Sequence, residues 1–241
     1  MAFYKTNTAT DSAVSERKNL FASVKQGETA RIRVLPALTE DGKTQHKQVL
    51  HYKMKDPNSE DGDRGITISC GKYHGDGTCL VCDVYDVLKG SDDPSEKNLT
   101  KFPDDIGAGT SVYVPALVAT KSGSKWVHGD PILFRLTENA AGGLAKVNSN
   151  CEENGIALIN DPELGQDVLV TNPPTAGKYT FQPTSLQISL TDIDPDIETK
   201  ATPDMLKVLE VPTRSTEEIK EIMKHSLPQL DLDSIFAELG V

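Results

Sequence analysis

The sequence predicts a mainly β fold of the α+β class, a small barrel and not a doubly wound sheet. Several short strand-like runs rich in β-branched and aromatic residues are broken by Gly, Pro, Asn and Asp turn signals. Little helical periodicity separates them, and no internal repeat is present. Three of the four cysteines fall between Cys70 and Cys82. That cluster marks a metal-binding subdomain set into the strands.

The elements follow in order. Residues 1–19 are polar and are expected to form a flexible arm. Residues 19–36 predict a strand, a turn at Gln26-Gly27 and a second strand ended by Pro36. Its period of two puts Arg31 and Arg33 on one face and Ile32 and Val34 on the other. Residues 47–55 predict a strand with Lys47, Val49, His51, Lys53 and Lys55 on one side. Gln48, Leu50, Tyr52 and Met54 take the other. A polar loop leads to the short strand 66–69, which delivers Cys70.

Residues 82–90 carry Val84, Val87 and Leu88 at helical spacing, and 91–109 read as an irregular connector. The most β-prone run is 110–120, with 121–128 behind it as the return of a hairpin and 131–136 as strand. Residues 137–155 predict a helix weakened by Gly142 and Gly143. Two further strands flank Asn172-Pro173-Pro174, and 183–190 reads as a closing strand. From Thr191 the chain is acidic and proline-punctuated. A helix signal follows, with Ser215 or Thr216 as cap and Glu217 and Glu218 in the first turn. The expected organisation is an arm (1–19), a core (20–190) with a metal subdomain at about 50–90, and an acidic linker and C-terminal partner-binding tail (191–241).

Tetrahedral zinc takes four soft or borderline ligands, and a C-x-x-C turn presents two thiolates to one ion. Cys70, Cys79 and Cys82 supply three, and His51 or His74 the fourth; spacing alone leaves both open. Four protein ligands close the site, so the expected zinc is single and structural. Cys151 stands apart and is not expected to ligate. No H-x-E motif precedes the C-x-x-C, no thioredoxin-like βαβ pattern surrounds it, and no phosphate-cradling glycine loop appears. The chain is not expected to be an enzyme. No apolar run approaches the roughly 20 residues needed to span a bilayer. The first residues lack a secretory apolar core, so a cytoplasmic setting with reduced thiols is expected.

The net charge of −11 opposes binding to a polyanion, but its distribution matters more than its sum. Residues 1–101 hold 15 basic and 15 acidic residues, so 102–241 carry the whole excess. Within 31–55, Arg31, Arg33, Lys43, Lys47, Lys53 and Lys55 face only Glu40 and Asp41. Single-strand binders join such cations to aromatic faces on which bases stack. The candidates are Arg31, Arg33, Lys47, Tyr52, Lys53, Lys55, Lys72 and Tyr73, with Lys121, Lys125 and Trp126 as a second set.

The segment HYK…ITISCGKYHGDGTCLVCDVY resembles the zinc-binding segment of the T4-type phage single-stranded DNA-binding (helix-destabilising) proteins. The likeness extends upstream to GETARIRVLP and, more weakly, downstream to NDPELGQDVLVT…GKYTF, spanning roughly residues 20–190. It implies an OB-fold core with an inserted zinc subdomain, a groove for single-stranded DNA between them, and His51 as the fourth ligand. It also implies a role in phage DNA replication, recombination and repair in the cytoplasm of the infected bacterial host. There the protein would protect strands, melt hairpins and recruit replication or recombination proteins through the acidic tail. Leu80 stands where the family usually has proline, and MAFYKTNTAT lacks the family's basic self-association motif. Any self-association would need another route. The competing expectation is a zinc-ribbon protein-interaction module of a replication or transcription complex that does not itself bind DNA.

Overall fold

The structure is a computed structural model that describes residues 20–59, 65–75, 77–101, 103–175 and 177–241. The expected N-terminal arm lies outside the described residues. In chain order the first elements are β1 (Phe21–Ala22), β2 (Thr29–Val34), β3 (His46–Lys55), β4 (Gly65–Ser69), α1 (Gly71–His74), α2 (Leu80–Gly90) and α3 (Pro94–Asn98). There follow β5 (Ala108–Ser122), β6 (Lys125–Leu136), α4 (Glu138–Glu153), β7 (Gln166–Thr171) and β8 (Thr180–Gln187). Helices α5 (Leu190–Ile193) and α6 (Ile197–Lys200), a 3-10 turn at Pro203–Leu209, α7 (Thr216–Ser226) and α8 (Leu232–Leu239) complete the chain. The fold is α+β, built on one mixed eight-stranded sheet. The chain divides into two compact units, Met1–Gln48 with Ser111–Leu209 and Val49–Thr110 with Glu210–Val241.

In the first unit the strands run in the order β1-β6-β5-β2-β7-β8. Only β1–β6 is parallel. No pairing joins β1 to β8 among the described residues, so the expected barrel is not closed. Neither end suits closure: β1 offers only two residues, and Pro183 in β8 has no N–H to donate. Alternation in β2 turns Ile32 and Val34 to a buried face shared with Val114, Phe134, Val168 and Val170. Ala140, Ala141 and Leu144 of α4 cover that face, and Cys151 is buried in the same core. Thr137 caps α4 by accepting from the Ala140 N–H. Gly143, which weakens the helix on propensity, is needed here. A Cβ at Gly143 would come 2.8 Å from the Phe181 ring.

The opposite face of β2 carries Arg31 and Arg33, as alternation predicts. At one end Leu35 and Leu117 of this face are buried with Leu190 of α5 and Ile197 of α6. The other end runs out to the β5–β6 hairpin, whose two-residue turn begins at Gly123 with φ +63°.

The second unit has its own core, including Val49, Met54, Ile68, Val81, Val84, Leu88 and Ile106. Strand β3 does not alternate regularly through it. One extra residue lies between His51 and Met54, and Lys53 takes φ +67°. His51 and Met54 are therefore both buried, and Lys53 is not the in-register neighbour of His51 that regular alternation requires. Asp93 caps α3 by accepting from the Ser95 N–H, with Pro94 at the first helical position. The connector expected at 91–109 thus contains a helix.

The C-terminal residues are not a free tail. Ser215 and Glu218 form a capping box at α7. Ile222 and Met223 of α7, Leu227 behind it, and Leu232 and Phe236 of α8 are buried in the second unit's core. Both helices pack against α2. Each such side chain contributes about 1.5–3 kcal/mol on burial, so five approach the whole stability of a small domain, about 5–15 kcal/mol. Truncation after Leu209 is therefore expected to unfold the second unit, read as loss of amide-exchange protection in 49–110. Retained protection there would contradict this packing.

Candidate metal centre

Four side chains meet in the second unit. The ligand atoms of His51, Cys70, Cys79 and Cys82 all lie within 4.8 Å of one another, and the first three residues are buried. The Cys79 Sγ is 3.2 Å and the Cys82 Sγ 3.5 Å from the His51 Nε2. The Cys70 and Cys82 sulfurs are 3.6 Å apart, too far for a disulfide, and all the cysteines are free. This donor set can hold a single metal ion.

Each ligand is placed by a local device. Alternation in β3 puts His51 on the same inward side as Val49, and its Nδ1 lies 3.0 Å from the Ile106 carbonyl oxygen. That oxygen can only accept, so Nδ1 carries a proton there and Nε2 is the nitrogen left to give its lone pair to a bound ion. Cys70 directly follows β4, with its N–H donating to the Val49 carbonyl. Cys79 precedes α2, whose first turn brings round Cys82. Gly71 closes the loop between the ligands; a Cβ there would stand 2.0 Å from the Thr78 carbonyl oxygen.

The thiols oppose one another's ionisation. Burial disfavours the Cys79 thiolate, but hydrogen bonds from His51 and from the Cys82 and Gly71 N–H groups outweigh it and bring its pKa to about 6. Burial, then the neighbouring Cys79 charge, push Cys82 far up. Burial also raises Cys70. A cation among them removes this conflict, and its binding must expel the remaining protons.

His74 does not join the cluster. Its Nε2 accepts from the Val49 N–H at 2.8 Å and ties α1 to β3. The compact spacing around it is real, but the nitrogen is already committed to the backbone.

The cationic and aromatic candidates divide between the units. In the first, Arg31, Lys125 and Trp126 line one cleft of ≈ 490 Å³ with His128, Val127, Leu186 and Asp192. The Arg31 guanidinium lies over the Trp126 ring at 5.0 Å, and the indole remains 43% exposed. Lys121 is the cross-strand partner of Trp126. Arg33 is a correction. It is fully buried, donates to the Asp161 carbonyl at 2.7 Å, and cannot meet an external ligand. Alternation shows its face but not the cover over it: a Cβ at Gly165 would lie 2.6 Å from its Nη1. Lys47 pairs with Glu138 at 2.5 Å. In the second unit, Lys72 pairs with Asp83 at 2.9 Å, Tyr73 is exposed, and Lys53 and Lys55 are exposed. Tyr52 is half-buried, and its ring would lie 2.9 Å from a Cβ at Gly109.

Two contributors carry little sequence signal. Ile106 acts through its carbonyl, which no side-chain pattern announces. Asp167, nearly fully buried in β7, pairs with Arg31 and His128. A charge in the apolar run 166–171 was its only trace. A scan against protein-family models finds no match to this chain, and no curated protein matches it.

His51→Ala is expected to abolish stoichiometric metal, whereas His74→Ala retains one ion per chain at reduced stability. Elemental analysis of the folded variants checks this. Metal affinity should also fall as pH falls, because protons compete for the thiolates, Cys70 and Cys82 first. Chelator competition at several pH values reads the slope; a flat profile would exclude thiolate ligation.

Proposed function

We propose that this protein binds single-stranded DNA without strong sequence preference, on a scaffold whose metal is one structural zinc ion. The observation that carries the reading is Trp126, exposed over a guanidinium and flanked by Lys121 and Lys125 on a hairpin. An indole beside cations suits a stacked base and its phosphate, and stacking contributes about 1–3 kcal/mol per base. Such contacts read no base edge, which accords with weak sequence preference. The resemblance of 51–85 to the zinc segment of T4-type phage proteins agrees in kind. In keeping with that resemblance, the proposed role is in phage replication, recombination and repair, protecting strands and melting hairpins.

Zinc suits the donor geometry. Bonds of about 2.3 Å to sulfur and 2.0–2.1 Å to nitrogen imply tetrahedral edges of ~3.8 Å between sulfurs and ~3.5 Å from sulfur to nitrogen. The observed 3.6, 3.2 and 3.5 Å lie close to these. Zinc filled by four protein ligands leaves no position for substrate, so its role is to hold the loop. Partner proteins of a replication or recombination complex would meet the exposed acidic side of α7 and α8, where Glu217, Glu221, Asp233 and Glu238 lie.

Two observations favour the alternative of a protein-binding zinc module. The chain carries −11, and Asp167 already neutralises Arg31. Titration with oligo-dT separates the two. Trp126 is the single tryptophan, so its fluorescence reports the cleft directly. DNA binding predicts quenching that weakens steeply with salt, and a loss of about 5–150-fold in affinity for Trp126→Ala. No quenching and no gel shift at low salt with metal bound would leave the protein-binding reading.

A further inference from the structure

Two residues that line the Trp126 cleft, Arg31 and His128, share the buried carboxylate of Asp167 behind it. The Arg31 Nε donates to the Asp167 Oδ2 at 2.5 Å, and the His128 Nε2 lies 3.0 Å from the Asp167 Oδ1. The side chains of Arg31, His128 and Asp167 are only 11, 6 and 3% exposed. Strand register brings them together: Arg31 faces Ala119, Ala119 faces His128, and Asp167 sits opposite Arg33 on the same face as Arg31.

This has two consequences for Trp126. Arg31 seals one face of the indole, so the exposure of the ring belongs to the other. Arg31 is also no free cation, since Asp167 takes its Nε and its charge. A free arginine samples many rotamers, and a second anchor restricts it to the one that lies against the ring.

We infer that Asp167 and His128 are positioning residues, which clamp Arg31 beneath Trp126 so that the indole offers one rigid face to a single base. This rests on the proposed single-strand binding and adds a division of labour to it. Arg31 acts through the ring, and the phosphate contacts fall to the exposed Lys121 and Lys125. The salt dependence of binding then comes from the lysines and not from Arg31.

The test compares wild type, Asp167→Asn, Arg31→Met and Lys125→Ala. It uses acrylamide quenching of Trp126 in the free protein and oligo-dT affinity across a salt series. Arg31→Met keeps the aliphatic stem and decides the matter should Asp167→Asn fail to fold. Releasing the clamp should open the second ring face and raise the quenching constant about twofold. Affinity should fall about fivefold, the order of one cation–π contact, at an unchanged salt slope. Lys125→Ala should leave free-protein quenching unchanged and reduce the salt slope by about one. Wild-type quenching and affinity in folded Arg31→Met would overturn the clamp, as would a loss of salt slope there equal to that of Lys125→Ala. Absence of oligonucleotide binding by wild type would overturn the proposed function and this inference together.

Discussion

Three sulfurs and an imidazole nitrogen held within 4.8 Å are the constraint on which the second unit depends. Without a cation the arrangement is in conflict with itself. One thiol is drawn towards ionisation while burial and that charge resist it at the others. The backbone is nevertheless shaped to keep the four together. The β3 irregularity brings Met54 onto the face of His51, the Ile106 carbonyl selects the His51 tautomer, and Gly71 lets the chain close against Thr78. Such local departures from regular structure are tolerated where a bound ion repays them. The same core takes in α7 and α8, so the C-terminal residues belong to the metal unit.

The first unit uses its sheet differently on its two faces. One is apolar and covered by α4. The other carries Arg31 and His128, which share Asp167, and Arg33, which donates to the Asp161 carbonyl. Burial opposes the ionised Asp167, and His128 and Arg31 overcome it, leaving the carboxyl below its ordinary range. Its contribution to stability is thus present at neutral pH and fades in acid below the usual carboxylate value. Where this polar face is covered it yields an internal anchor, Arg33. Where it is open it yields the Trp126 cleft.

Much of this was legible in the sequence, because it rested on local chemistry. The C-x-x-C pair, the helix after it, the strand delivering Cys70, the hairpin begun at 110–128 and a helix cap at Ser215 or Thr216 all follow from near neighbours. The Asp93-Pro94 cap is equally local, although the polar run around it reads as connector. What escaped depended on distant partners. Spacing left His51 and His74 open, and the choice turned on Ile106 and Val49. Alternation found the face of Arg33 but not the loop that buries it. The acidic and apolar mixture after Thr191 suggested a tail. Ile219, Ile222, Met223 and Leu227 lie at helical spacing, yet what they pack on could be seen only in three dimensions.

The claim that ties these observations together is that one tetrahedral ion is held by Cys70, Cys79, Cys82 and His51. X-ray absorption at the edge of the bound metal tests it most directly. The account predicts a shell of three sulfurs at about 2.3 Å and one imidazole nitrogen at about 2.0–2.1 Å, with no exchangeable oxygen. A protein that binds no metal stoichiometrically, or a shell dominated by oxygen or holding two sulfurs or fewer, would contradict it.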